Sequence, residues 1–114
     1  MGSELRHVSS GAVLAKELRW ARGAAERIRG LIGRDLPDGA ALVIEPARQV
    51  HTFGMRRSID VVFCDRDWVV VHVVRHLRPA RITRWVYKAR RVVELPSGTV
   101  PPEVTVGDAL AVVA

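Results

Sequence analysis

The residues most able to do chemistry lie in one stretch, HTFGMRRSIDVVFCD, at positions 51–65. His51 opens this stretch, and Asp60 stands inside the apolar run that follows it. Glu94 is placed in the same way, between two valines and Leu95. Because a carboxylate inside an apolar strand is costly without a partner, such residues indicate either a structural network or a polar site.

These side chains lead to a first functional hypothesis, a non-catalytic module that binds a small molecule or a peptide in a polar pocket. In it, Arg29 and His51 contact an anionic or hydrogen-bonding group, while Asp60 and Glu94 orient them. The alternative is that the same residues form only a structural network. The predicted pocket residues are Arg29, His51, Thr52, Met55, Arg56, Asp60 and Glu94.

A catalytic hypothesis uses the same acids. Asp60 and Glu94 would act as a pair in a hydrolase or transferase, with His51 as the general base. This requires the three groups to lie within hydrogen-bond reach of one substrate, which the sequence does not reveal.

The net charge of +6 arises in one basic segment, residues 75–91, which holds seven basic residues and no acid. Arginines interleaved with Trp85 and Tyr87 are typical of a surface for nucleic acid or another polyanion, since phosphates pair with guanidinium groups and bases stack on aromatic rings. The alternative is a solvated arginine-rich loop. The predicted polyanion-binding residues are Arg75, Arg78, Arg81, Arg84, Trp85, Lys88 and Arg90.

Other classes of site lack their residue patterns. The four histidines fall in four separate segments, and the one cysteine, Cys64, excludes a Cys-based zinc site, so we predict no metal and no cofactor. Cys64 lies in an apolar run and is expected to be an inert core thiol. Neither Ser58 nor Ser97 lies in a nucleophile elbow, and the glycines have no nucleotide-binding spacing.

The elements that must position these residues are mostly strands. Apolar runs predict strands at 4–8, 12–20, 40–44, 58–64, 68–74, 89–95 and 104–113, and an extended piece at 49–53. The continuous valines of 68–74 predict a central strand. An apolar stripe predicts one helix at 24–33, in which Gly30 suggests a close approach of another backbone. We therefore expect one mainly-β (α+β) domain over residues 1–114, a compact β-sandwich or partly closed barrel with one short α-helix packed on it.

The composition indicates the class of protein and its localisation. With 48% hydrophobic and 26% charged residues, the chain resembles an ordinary globular domain. It has no apolar run long enough to span a membrane and no apolar signal segment at its start. We expect a soluble, cytoplasmic monomer whose partner is a small molecule or peptide, with nucleic acid as the alternative.

Five motifs occur in an order that resembles a known family. They are Arg29-Gly30-Leu31, Leu36-Pro37, the 51–65 stretch, VVELPSGT at 92–99 and Val106-Gly107-Asp108. Together they resemble the DUF192 family (also called UPF0127), small bacterial and archaeal proteins for which no reaction is established. The resemblance covers residues 12–113 and implies a compact mainly-β fold with the Arg-Gly-Leu helix packed against it. The motif residues expected to be structural are Gly30, Gly98, Gly107 and Asp108.

The chain also departs from the family pattern. Many members read Phe-Trp-Met-Lys where this chain has Phe53-Gly54-Met55-Arg56. This chain therefore lacks an aromatic platform at the tryptophan position. A ligand that needs that platform in other members is not expected to bind here in the same way.

Overall fold

The structure, a computed structural model, describes residues 3–30 and 35–114. The described elements follow one another as β1 (Glu4–His7), β2 (Val13–Ala15), β3 (Glu17–Ala21), α1 (Ala24–Arg29), β4 (Ala40–Ile44), β5 (Ile59–Cys64), β6 (Val70–Leu77), β7 (Arg91–Pro96) and β8 (Leu110–Val113). The predicted mainly-β class with one short helix is confirmed. The last part of the predicted helix, residues 31–34, lies outside the described residues.

The strands form two sheets. One has three strands in the order β2-β1-β8, and the other has five in the order β3-β4-β7-β5-β6. Neighbouring strands are antiparallel except β3 and β4, which are parallel. Parallel strands need a crossover connection, and α1 lies in it. The sandwich prediction is confirmed, whereas the sheets do not close into a barrel.

The five-stranded sheet is buried on both faces. One face packs against the three-stranded sheet, where Leu5 and Leu110 meet Val62 and Leu95. The opposite face carries a second cluster, which includes Phe63, and is covered by residues from the connections 45–58 and 78–90. Because successive side chains of a strand point to opposite faces, neighbours on β5 and β7 belong to different layers.

Two strand predictions are corrected by the structure. The run 12–20 divides at Lys16, whose N–H, like that of Glu17, donates to the Gly39 carbonyl (2.7 and 3.1 Å), so β2 and β3 enter different sheets. The valine-rich strand β6 lies at the sheet edge, and the central strand is β7. Edge valines remain half-buried because Val73 packs on one core layer and Val74 on the other.

Two further predicted extended segments are shorter in the structure. The segment 49–53 makes only an isolated bridge between His51 and Ile82. The predicted strand 104–113 is reduced to β8, and the residues before it form turns.

Asp60 is a fully buried carboxylate that accepts hydrogen bonds from three backbone N–H groups. Its Oδ1 accepts from His76 N (2.9 Å), and its Oδ2 accepts from Gly98 N (3.1 Å) and Val100 N (2.9 Å). Gly98 has φ +87°, a conformation that residues with side chains rarely adopt, and this directs its N–H to the carboxylate. Asp60 thus joins the end of β6 to the turn after β7. This is the structural role that the sequence analysis gave as the alternative to a place in a polar pocket.

We expect Asp60→Asn to lower the free energy of unfolding by about 2–4 kcal/mol, because an amide offers one acceptor oxygen and turns its NH₂ towards backbone donors. Urea denaturation would measure the loss. Asp67→Asn, in the exposed turn between β5 and β6, is the matched control and should change the stability by less than about 0.5 kcal/mol. Equal effects of the two substitutions would contradict the anchoring role of Asp60.

Candidate functional site

A cleft of about 560 Å³ opens on the outer face of the five-stranded sheet, the face turned away from the three-stranded sheet. Its described walls come from α1 with Gly30, from the connection that follows β4, and from residues that precede β7. Arg29, His51 and Glu94 line it. The three elements that the sequence was expected to bring together therefore meet at this cleft.

Glu94 is the buried acid of the cleft. It is 2% exposed, and its Oε1 has no hydrogen-bond partner. Burial raises the pKa of its carboxyl to about 8, so the group is mostly protonated at neutral pH. A neutral carboxyl can donate one hydrogen bond and accept others, so Glu94 offers the cleft a neutral hydrogen-bonding group rather than a fixed negative charge.

Gly30 places the end of α1 over Glu94. Its N–H donates to the Glu26 carbonyl (2.9 Å), and its φ is +48°. A Cβ at this position would lie 3.7 Å from Glu94 Oε1 and 3.9 Å from Ile44 Cδ1. The positive φ requires glycine, and among the described residues the groups nearest to that Cβ are side chains rather than the backbone that the sequence suggested.

Two further polar atoms of the cleft are buried without a partner, His51 Nδ1 and Arg27 Nε. The His51 ring stacks on Phe53 with centroids 5.5 Å apart, and Arg27 donates through Nη1 to the Pro46 carbonyl (3.2 Å). In the part of the chain that the structure describes, these two atoms and Glu94 Oε1 are the only buried side-chain N or O atoms left unpaired. Unpaired buried polar groups are rare and costly, so three of them on residues of one cleft distinguish it from the rest of the described surface.

The cleft is also positively charged, since Arg27, Arg29, Arg48 and Arg90 line it. Within residues 3–30 and 35–114, none of these four arginines forms an ion pair. The acid that follows β4 pairs elsewhere: Glu45 accepts hydrogen bonds from Arg22 (2.7 Å) and Arg91 (2.8 Å).

The state of Glu45 supports this separation of charges. Burial alone would raise the pKa of its carboxyl, but the hydrogen bonds from Arg91 and Arg22 outweigh burial and hold that pKa below its usual value. Glu45 is therefore ionised and paired with Arg22 and Arg91, and no acid that the structure describes forms an ion pair with the cleft arginines.

Asp60 and Glu94 lie on opposite faces of the sheet. Asp60 is paired across the strands with Leu95, which faces the three-stranded sheet, whereas Glu94 is paired with Val61 on the other face. Asp60 therefore does not line the pocket, which corrects that prediction. The predicted catalytic pair of Asp60 and Glu94 is corrected with it, because the two acids do not face one site. The physical reason is the alternation of side chains along adjacent antiparallel strands.

The other predicted pocket residues lie outside the described lining of the cleft. Thr52 is buried, and its hydroxyl donates to the Arg78 carbonyl (2.6 Å) and accepts from Arg81 N (2.9 Å), so it fixes the loop that follows β6. Met55 packs against the outer core cluster, and Arg56 is exposed. Thr52 and Met55 therefore hold the neighbourhood of the cleft together without lining it.

The basic segment has divided roles. Arg75 belongs to β6, and its guanidinium donates to the carbonyls of Pro101 and Val104 (2.8 Å each), so it also supports the backbone after β7. Trp85 and Tyr87 are 58% and 83% exposed. Trp85 and Arg90 also line the cleft. The remaining predicted polyanion-binding residues, Arg78, Arg81, Arg84 and Lys88, are exposed.

A buried histidine cluster was not predicted from the sequence. His7 is 1% exposed, its Nε2 lies 2.7 Å from Asp108 Oδ2, and its Nδ1 lies 2.6 Å from Ser10 Oγ. The hydrogen bond from His7 lowers the pKa of Asp108. Ser10 Oγ also accepts from Ala12 N (3.2 Å), and Asp108 Oδ2 from Thr105 N (3.1 Å), so each side chain closes a turn. Gly107 N donates to the Val70 carbonyl at the same corner (2.8 Å).

The described lining of the cleft holds two side chains of metal-ligating type, His51 and Glu94, and no thiol. Among the described residues there is no group of three or more His, Cys, Asp or Glu side chains able to hold a metal ion. Cys64 is fully buried, and burial raises the pKa of its thiol to about 12. It therefore remains a neutral core thiol, as predicted.

The fold and the cleft define a small two-sheet β-sandwich domain with a polar, arginine-lined cleft beside a short helix. The chain belongs to the DUF192 family, described as "Uncharacterized ACR", whose family model matches residues 6–112. None of the curated proteins with which the chain was compared matches it. No helix in residues 3–30 or 35–114 is long and apolar enough to cross a membrane.

Two crystal structures are similar to this chain. A protein of unknown function from Novosphingobium aromaticivorans DSM 12444 has a TM-score of 0.80 and 19% sequence identity, with 96% of this chain and 82% of that chain covered. A protein from Sinorhizobium meliloti 1021, named "putative transcription regulator", has a TM-score of 0.77 and 19% identity, with coverages of 96% and 91%. At these identities the likeness shows the fold alone.

The protonation of Glu94 predicts a pH dependence of stability. The unfolded glutamate titrates near 4.5 and the folded one near 8, so the folded state binds more protons between these values and loses stability as the pH rises through them. Glu94→Gln keeps a neutral side chain of similar shape and should lack this loss. Between about pH 5 and about pH 9, urea denaturation should show wild type losing roughly 3–5 kcal/mol more than Glu94→Gln.

The exposed Glu103→Gln serves as the control for this measurement and should follow wild type. If wild type and Glu94→Gln lost stability in parallel, Glu94 would be ionised in the folded protein at neutral pH.

Proposed function

We propose that this protein is a non-catalytic binding module whose ligand, a small molecule or a peptide segment, occupies the cleft of Arg29, His51 and Glu94. The observation that carries the proposal is the group of buried unpaired atoms, Glu94 Oε1, His51 Nδ1 and Arg27 Nε, all of which belong to residues lining that cleft. A ligand with complementary polar groups would satisfy them and recover the cost of their burial. The cleft volume of about 560 Å³ suits a small organic molecule.

The rest of the lining supports binding of a molecule that is only partly polar. Ile44, Val50 and Ala89 supply buried apolar surface, and Ile28 and Trp85 remain 72% and 58% exposed beside it. Apolar walls with a few convergent polar groups are typical of ligand pockets. With Asp60 on the opposite face, Glu94 is the only carboxylate in the described lining, which favours recognition over paired acid–base chemistry.

A thermal-shift screen of metabolites and short peptides, at low and at moderate salt, tests the proposal. A compound that binds only the folded protein raises the melting temperature with its concentration. We expect one class of compounds to do so in wild type, and the effect to be lost in His51→Ala and in Glu94→Leu, which both remove the polar group. Arg56→Ala, which removes an exposed arginine outside the described lining, is the control and should respond like wild type. Stabilisation that survives both cleft substitutions would contradict the proposal.

A second candidate function is contact with single-stranded nucleic acid or another polyanion along the basic segment. The observation that favours it is the exposure of Trp85 and Tyr87 beside the exposed Arg84 and Lys88, because bases stack on such rings while phosphates pair with the cations. The name of the Sinorhizobium protein points in the same direction, but it belongs to that protein and the likeness extends to the fold alone.

We expect a triple substitution of Arg78, Arg81 and Arg84 by Gln to reduce the salt dependence of binding to a single-stranded oligonucleotide. Removing one arginine–phosphate pair should lower the slope of log affinity against log salt by about 0.7, so the total decrease would be roughly 2. Fluorescence anisotropy of a labelled oligonucleotide measures this slope, with the exposed Arg66→Gln as the control outside the segment. An unchanged slope would exclude these three arginines from phosphate binding.

A further inference from the structure

We propose that the ligand of the cleft is an oxyanion, a carboxylate or a phosphate ester on an otherwise apolar small molecule, bound by the cleft arginines and contacted by Glu94 and His51. This inference rests on the proposed function and names the class of its ligand. It follows from three properties of the cleft: its uncompensated charge, the hydrogen-bonding state of its buried acid, and the apolar side chains beside them.

The first property is charge. Arg27, Arg29, Arg48 and Arg90 come from three separate parts of the chain and line one cleft, and none of them is ion-paired with any acid that the structure describes. By contrast, Arg91 and Arg22 share Glu45 just outside. Guanidinium groups bind carboxylates and phosphates through two parallel hydrogen bonds, so arginines without an ion pair at a cleft favour an oxyanion.

The second property is the state of the Glu94 carboxyl. It is 2% exposed, its Oε1 has no partner, and burial raises its pKa to about 8. In the neutral form its O–H can donate to an oxyanion, as the arginines do. A cationic ligand would instead require Glu94 to ionise and would approach four positive charges, so the same cleft disfavours it.

The third property is the apolar wall. Ile28 and Trp85 line the cleft and are 72% and 58% exposed, although both side chains are large and apolar. An apolar body attached to the oxyanion would cover them and contribute burial of apolar surface. A bare inorganic anion would leave them exposed, which is why the ligand is inferred to be an organic acid or a phosphate ester.

The pH dependence of binding follows from the groups that line the cleft around Glu94. These are Arg27 and Arg29 from α1, Arg48 and His51 from the connection after β4, and Arg90 before β7. As the pH rises through the pKa of Glu94, its ionised carboxylate no longer donates a hydrogen bond and repels the bound anion, so the affinity for the anion should fall.

Four probes that share one aromatic body test the ligand class. Phenylacetate and benzyl phosphate carry the anion, phenylacetamide is neutral, and benzylamine is a cation. Isothermal titration calorimetry and amide-resonance shifts of the full chain give the affinities and the residues affected. We expect at least one anion to bind at least about tenfold more tightly than the amide, with shifts at cleft residues, and the amine not to bind. The comparison of the two anions distinguishes carboxylate from phosphate ester.

Substitutions identify the groups responsible. Arg29→Gln together with Arg90→Gln should weaken binding of the preferred anion about tenfold or more, whereas Arg56→Gln should not. Both cleft arginines are exposed, so the variant is expected to fold, and its circular-dichroism melt checks this. Above about pH 8 the affinity of wild type should fall, and that of Glu94→Gln should stay level. The anion affinity of His51→Gln, measured over the same pH range, shows how much the imidazole contributes to the pH dependence.

The outcomes distinguish this inference from the proposed function. If the amide or the amine binds in the cleft as tightly as the anions, the oxyanion class is overturned while the binding function stands. If none of the four probes shifts a cleft resonance, the oxyanion inference also fails, and the broader compound screen alone decides the proposed function. An anion that binds equally well to the double arginine variant would overturn the assignment of these residues.

Discussion

The alternation of side chains along the paired strands β5 and β7 is the constraint on which the arrangement of this molecule depends. It sends Asp60 to the face shared with the three-stranded sheet and Glu94 to the opposite face, although the two residues lie on adjacent strands with nearly the same register. Each carboxyl is buried in a strand, but three backbone donors meet Asp60, whereas Glu94 Oε1 has no partner. The same sheet therefore holds one acid that organises the fold and one that keeps an unpaired oxygen at the cleft.

The difference between the two faces follows from what covers them. The inner face meets a second sheet and turns whose backbone groups can reach Asp60, so the chain itself satisfies the carboxylate. The outer face is covered by two irregular connections, and a six-residue helix with no buried residue forms one wall of the cleft beside them. These elements cover Phe63 and its neighbours but leave a cleft over Glu94, where the end of α1 at Gly30 lies beside the carboxyl while Oε1 stays unpaired. Irregular segments on a rigid sheet are where binding groups are commonly placed.

The sequence predicts local features well and the orientation of the acids poorly. The sequence predicts strand β4 with its observed bounds because an uninterrupted apolar run, residues 40–44, lies between Gly39 and Glu45-Pro46. Asp60 and Glu94, however, look alike in sequence, since both stand inside apolar runs. Their faces depend on which residue lies opposite in another strand, and that register is non-local. The cluster of His7 and Asp108, 101 positions apart, was missed for the same reason.

A buried acid with an unpaired oxygen lowers the stability of the free protein, because burial suppresses ionisation and Oε1 of the neutral group still lacks a partner. An apolar residue on β7 would pack against Leu42 and Val61 across the neighbouring strands without this cost. The fold supplies three backbone donors to the carboxylate of Asp60, so it is able to provide hydrogen-bond partners for a buried acid. The unpaired oxygen of Glu94 is therefore due to the segments that cover the outer face and not to the sheet itself. Local departures from full hydrogen bonding in an otherwise consistent structure are expected at functional sites, and under the proposed function a ligand that supplies the missing partner would restore the stability lost at Glu94.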